Sequence, residues 1–142
     1  MKSINFVKQK NKNMSKLLDK IKSVEEFHTT FKIGNAEHIQ LIDEKDYTLR
    51  YNLIKEENEE YLDACKKGDL VEIADALGDQ LYILFGTILK HGLQHKIEEV
   101  FDEIQRSNMS KLGEDGKPIY REDGKVMKGP NYFKPNFSAI LK

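Results

Sequence analysis

The sequence has few of the residues that pin a chain covalently or break its helices: one cysteine, three prolines and no tryptophan in 142 residues. A lone cysteine excludes an intramolecular disulfide framework and leaves no CxxC pair for zinc or thiol redox chemistry. Cys65 is therefore expected to act as a small core hydrophobe. No stretch approaches the ~20 consecutive apolar residues of a membrane span, and the first residues lack the apolar run of a signal peptide. A soluble, cytoplasmic protein with no membrane partner is expected. The charges nearly cancel, 23 basic against 24 acidic side chains. That balance argues against the continuous basic surface of a duplex-binding protein, so no nucleic-acid partner is expected.

What charge there is falls in blocks. Residues 1–22 carry seven lysines against Asp19, residues 43–79 hold twelve acids against five bases, and from 106 onward eight bases face four acids. An acidic centre between basic ends suggests bound cations with an anionic ligand reaching across them.

All three prolines lie at 118, 130 and 135, so the first three quarters of the chain read as helical and the last quarter as something else. Residues 1–13 read as a mobile basic extension, 14–112 as an all-α helical bundle of four to five helices, and 113–142 as a small β-hairpin and tail. Ser23-Val24-Glu25-Glu26 has the form of a capping box opening a short helix that ends at Gly34. Asp46 opens a second helix, stopped by Gly68. Asp69 caps a third over Leu70–Leu89, and a fourth spans Leu93–Leu112. Two short extended segments around Asp123-Gly124 make the hairpin.

Two helices carry acids where apolar residues belong. On a wheel of the 46–67 helix, Leu49, Leu53, Ile54, Tyr61, Ala64 and Cys65 mark the buried arc. Glu57 and Glu60 fall inside it and Glu56 on its border, whereas Glu59 and Asp63 face solvent with Lys55. The 70–89 helix is apolar almost all round, which predicts burial. Its acids Glu72, Asp75 and Asp79 form one narrow stripe that Gly86 and Lys90 continue. Uncompensated carboxylates in a core cost several kcal/mol each and raise one another's pKa values, so a cation is expected among them. All the donors are oxygens, which favours Mg²⁺ first and Mn²⁺ next. A di-iron site would want Glu-x-x-His pairs, which neither His91 nor His95 supplies. Ordinary ion pairing, with Arg50 for example, is the competing reading for any one of these acids.

These residues resemble a known family. Leu49-Arg50-x-x-Leu53-Ile54-x-Glu56-Glu57-x-x-Glu60, followed by Glu72-x-x-Asp75-Ala76-Leu77-Gly78-Asp79, is similar to the MazG-like, all-α nucleoside triphosphate pyrophosphohydrolases, a group that includes phosphoribosyl-ATP pyrophosphohydrolase. The resemblance covers residues 23–112. It implies hydrolysis of a nucleoside triphosphate between its α and β phosphates, with Glu57, Glu60, Glu72 and Asp75 binding Mg²⁺, and Glu56 orienting or deprotonating water. Ala76 stands where MazG has the acid of its Glu-Leu-Gly-Asp run, which leaves open whether Asp79 is a further ligand.

Asn108 and Lys111 extend the stripe of Ile97, Phe101 and Ile104 by one turn and are the first candidates to touch phosphates. Lys90 and Arg106 are further candidates, and Lys117, Arg121, Lys125 and Lys128 are looser ones. Lys90 could equally satisfy a helix C-terminus. Phe27, His28, Phe31, Tyr82, Tyr132 and Phe133 could stack on a base or simply pack. The apolarity of 70–89 exceeds what its neighbours can cover, so a homodimer or homotetramer is expected.

Overall fold

The computed structural model describes residues 15–142, so the basic extension expected at 1–13 lies outside the described residues. The architecture is an all-α bundle of four helices: α1 (Lys16–Thr30), α2 (Glu44–Lys67), α3 (Leu70–Lys90) and α4 (Ile97–Met109). No helix among the described residues is long and apolar enough to cross a membrane.

Local chemistry sets the ends of these helices. Ser15 caps α1 by accepting from the Leu18 N–H at 3.0 Å, two turns earlier than the expected box at Ser23. Ser23 instead sits mid-helix and returns its hydroxyl to the Asp19 carbonyl. The earlier start follows from Leu17, Ile21, Val24 and His28, whose helical spacing gives α1 one inward face. Asp43, not Asp46, caps α2, with its carboxylate on the Asp46 N–H at 2.9 Å. Gly68 closes α2 at φ +68°, a left-handed conformation that other residues adopt at a cost. Asp69 caps α3 as expected, accepting from Val71 and Glu72. α4 begins at Ile97 and not at Leu93, because residues 93–96 form a turn before the helix.

α2 and α3, joined only by Gly68 and Asp69, run antiparallel: Arg50 reaches Ile83 and Thr87, and Glu57 lies beside Gln80. α1 packs on the C-terminal half of α3, where Ile21, Val24 and Leu89 form the buried core with Leu17, Phe85 and Ile97 against it. The 31–43 loop folds back over the end of α3, with Ala36 N–H on the Leu89 carbonyl and Gln40 N–H on that of His91. Gly92 makes this possible, since a Cβ there would collide with the His38 carbonyl.

Three expectations need correction. First, α3 is not buried all round within one chain: Leu77 is 46%, Leu81 54% and Leu84 44% exposed. Among the described residues only α1 and α2 pack extensively against α3, and they leave the side with Leu77, Leu81 and Leu84 exposed. Second, the arc of α2 is rotated, with Arg50 and Ala64 buried while Leu49 is 53% exposed and Cys65 is exposed, so Cys65 is not a core residue. Third, the C-terminal hairpin is absent. A turn at Gly124 (φ +85°) brings Tyr120 and Val126 into one isolated antiparallel bridge, with no strand on either side among the described residues. Pro118 offers no amide hydrogen, and Tyr120, Val126 and Met127 are exposed, so nothing buries a longer ladder.

The rest of the tail straps onto α4. Ser107 donates to the Phe133 carbonyl at 2.8 Å, Ser110 accepts from the Phe133 N–H, and Glu103 accepts from the Asn136 N–H at 2.7 Å. The Arg106 guanidinium lies 4.3 Å over the Phe133 ring.

Candidate active site

Seven residues separate Arg50 from Glu57 on α2, and Asp79 from Gly86 on α3. Each interval is two helical turns, roughly 10 Å. Because the helices run antiparallel with Arg50 against Ile83 and Glu57 against Gln80, the pair carries one acidic zone and one zone built on Arg50.

The acidic zone centres on Glu57. Its side chain is half-buried and its Oε2 is fully enclosed without a hydrogen-bond partner. Burial pushes the Glu57 carboxyl above the ordinary range, and Glu60, Asp79, Asp75 and Glu56 push it further, in that order of effect. Four of the expected acids thus act on Glu57 from α2 and α3. Glu56, Glu60, Asp75 and Asp79 are exposed. Glu72, exposed in the first turn of α3, does not figure among the charges acting on Glu57. Gln80 holds the backbone here by donating to the Glu57 carbonyl.

A buried, unpartnered carboxylate oxygen among like charges is the condition a cation relieves, and an all-oxygen donor set suits a hard one. The residues therefore fit a divalent metal chemically. Their side chains do not form a closed cage as they stand: no three carboxylate, imidazole or thiol groups converge at ligating distance among the described residues.

The second zone was only half legible. Arg50 is buried and is held by two bonds, Nη2 to the Ile83 carbonyl at 2.6 Å and Nε to Thr87 Oγ1 at 3.0 Å. Burial lowers its pKa and Asp46 partly restores it. His28 is buried beside it, its pKa lowered by burial and then by Arg50. Both heads press on Gly86: a Cβ there would lie 2.5 Å from Arg50 Nη2 and 2.7 Å from His28 Nε2. Gly86 stood out in the sequence as the residue continuing the acid stripe. Arg50 stood out only as an ion-pair partner for the acids. Neither signal alone distinguishes a buried cation from a surface one.

A cavity of about 320 Å³ joins the two zones. Phe27, Ile33, Leu53 and Tyr82 give it apolar walls, and His28, Arg50, Glu57 and Asp79 supply its polar groups. Phe27 and Tyr82 meet edge to face at 5.5 Å. Its size and its apolar lining with a few convergent polar groups are those of a small-molecule site.

The basic candidates lie elsewhere in the chain. Asn108 and Lys111 line a separate cavity of about 370 Å³ with Leu112, Pro118 and Val126. Arg106 is engaged by Glu103 and Phe133. Lys90 donates to the Ile33 carbonyl at 3.2 Å and pairs with Asp46 at 3.5 Å. Arg121 pairs with Asp123, and Lys128 lies over Tyr132. His91 caps the end of α3 with its ring on the Gln40 carbonyl, so it shares no helix face with His95.

An antiparallel helix pair with clustered carboxylates beside an aromatic-walled cavity makes an acid-rich candidate site in an all-α fold. The sequence model of the phosphoribosyl-ATP pyrophosphohydrolase family matches residues 24–108, and the chain belongs to that family. Uncharacterized protein L479 of Acanthamoeba polyphaga mimivirus is 39% identical over 80 residues, 52% of this chain. The match spans 32% of that viral protein, about a third of its length. A crystal structure of a proposed NTP pyrophosphohydrolase from Exiguobacterium sp. 255-15 is similar at 27% identity, with a TM-score of 0.44, over 82% of this chain and 89% of the other.

Proposed function

We propose that the protein hydrolyses a nucleoside triphosphate between the α and β phosphates, releasing the monophosphate and pyrophosphate, with Mg²⁺ or Mn²⁺ as cofactor. The observation that carries this reading is Glu57 Oε2, enclosed and unpartnered among the carboxylates of Glu60, Asp75, Asp79 and Glu56 at an aromatic-walled cavity. Glu57, Glu60, Asp75 and Asp79 would hold the metal, with Glu72 from the first turn of α3. A metal held there would supply neutralisation of phosphate charge and a more acidic attacking water. Glu56, exposed on the border of the acidic face, takes the proton as water oxygen bonds to phosphorus and the bridging P–O bond breaks. Asn108 and Lys111 sit in a different cavity of the same chain. They reach the phosphates from a second copy docked on the bare face of α3, and the protein acts as a homodimer or higher homo-oligomer.

The family's description favours a second substrate, phosphoribosyl-ATP, for the same carboxylates. Pyrophosphate release with Mg²⁺ across ribo- and deoxynucleoside triphosphates and phosphoribosyl-ATP, scored beside Glu57→Gln and Glu60→Gln, decides between them. Turnover of a simple triphosphate lost in both variants supports the first reading, and turnover of phosphoribosyl-ATP alone supports the second. Activity unchanged in Glu57→Gln removes these carboxylates from the chemistry, and no release from any of these substrates overturns both readings.

A further inference from the structure

His28 lines the cavity as a hydrogen-bond acceptor whose proton position is fixed by the fold. Its Nδ1 stands 3.0 Å from Asn35 Oδ1 and 3.3 Å from the Gly34 carbonyl. The orientation of the Asn35 amide is itself set, because its Nδ2 donates to the Glu25 carbonyl and to Thr29 Oγ1. A carbonyl accepts only, so Oδ1 must be the end that faces the imidazole. Two acceptors on Nδ1 require Nδ1 to carry the hydrogen, and in the neutral ring Nε2 then holds a lone pair. Burial and the neighbouring Arg50 both oppose a second proton.

Nε2 sits with Arg50 Nη2 over Gly86, where the lack of a side chain lets both heads approach α3. Arg50 directs Nε and Nη2 to Thr87 and Ile83 rather than to the imidazole. An obligate acceptor and a permanent donor thus lie side by side in a cavity with apolar and aromatic walls, two turns from the carboxylates. The apolar walls suit a flat heteroaromatic ring, and the polar pair suits an edge that sets a donor next to an acceptor.

We infer that His28 and Arg50 read the hydrogen-bonding edge of the substrate's nucleobase, His28 Nε2 accepting from an amino or ring N–H and Arg50 donating to the adjacent carbonyl or ring nitrogen. The inference rests on the nucleotide reading above and extends it: His28 is a specificity residue, and Asn35 a positioning residue that fixes its tautomer.

The test compares kcat/KM for base pairs of substrates that differ by one edge group: dCTP and its 4-deamino analogue, dUTP and its 3-methyl analogue, ATP and purine riboside triphosphate. The parent nucleotide that wild type uses is expected to exceed its analogue by about tenfold or more, since a site built to bond a group rejects the analogue lacking it. His28→Phe is expected to bring that ratio close to one, and His28→Gln, which keeps an acceptor, to restore part of it. Because the wild-type comparison needs no substitution, it stands even where a variant fails to fold. Equal kcat/KM within each pair, with turnover present, overturns this inference alone. A lack of turnover on every nucleoside triphosphate overturns the functional reading, and this inference with it.

Discussion

Arg50 Nη2 donates to the Ile83 carbonyl at 2.6 Å, joining α2 to α3 at a helix carbonyl to which the Thr87 hydroxyl also donates. The bond matters because Arg50 is buried. Arg50→Met keeps most of the bulk and removes the donors, leaving the Thr87 hydroxyl to satisfy Ile83. A loss of about 1–3 kcal/mol in unfolding free energy by urea titration is expected. A variant as stable as wild type would mean that the cation is tolerated here rather than used to fasten the helices.

Gly86→Ala adds one methyl group between two buried heads. With its carbon 2.5 Å from Arg50 Nη2 and 2.7 Å from His28 Nε2, one of them must move. Overpacking of this kind costs about 1–3 kcal/mol. The thermal midpoint should fall, while Gly78→Ala on the same helix, where a Cβ meets nothing within 4 Å, should not lower it.

Glu57→Gln should lower turnover by about a hundredfold or more while helical content by circular dichroism stays unchanged. Its linkage to stability has a definite sign. The Glu57 pKa is raised in the fold, so between the ordinary carboxylate value and the raised one the folded state binds more protons than the unfolded state. Without metal, the stability contributed by this group is present at low pH and is lost as pH rises through the raised value. The glutamine variant should lack that loss and should also lack the rise in thermal midpoint that Mg²⁺ is expected to give wild type. A magnesium shift of equal size in both proteins would remove Glu57 from the metal set.

Glu103 has the opposite sign. The Arg106 hydrogen bond, and then the Asn136 N–H, hold its pKa down at about 2 against an ordinary 4.5. The attachment of the tail to α4 through this carboxylate is fully present above the ordinary value and is lost as pH falls toward about 2. Hydrogen exchange at Asn136 should therefore lose protection across that interval relative to other amides of the tail. Protection that stays constant would show that Ser107 and Ser110 hold the tail alone.

Leu81→Glu places a charge on the exposed face of α3 and should convert the proposed homo-oligomer to a monomer in sedimentation, with folding retained because residue 81 is 54% exposed within one chain. An unchanged sedimentation coefficient in a wild-type oligomer would place the interface elsewhere.

The helical reading and the boundary between α2 and α3 were readable, because Gly68 and Asp69 act through local backbone chemistry that does not depend on the rest of the molecule, whereas α1 ends at Thr30 and not at Gly34, and α4 at Met109 and not at Leu112. The start of α1 was misplaced because Ser15 and Ser23 offer the same capping chemistry, and only the packing of Leu17 and Ile21 under Leu89 chooses between them. The hairpin was misjudged for the converse reason: the Asp123-Gly124 turn is a local feature and forms, but a ladder needs a surface to bury it, and the exposed tail provides none.

By itself the sequence determined the all-α class and the pairing of an acidic face on α2 with an acidic stripe on α3, because helical periodicity alone places Glu57, Glu60, Asp75 and Asp79. The tertiary structure decided which of those acids is enclosed, that Arg50 and His28 share one cavity over Gly86, and that Asn108 and Lys111 occupy another. Those relations depend on how two helices rotate about their axes and how closely they approach, quantities set by long-range packing that no local spacing encodes.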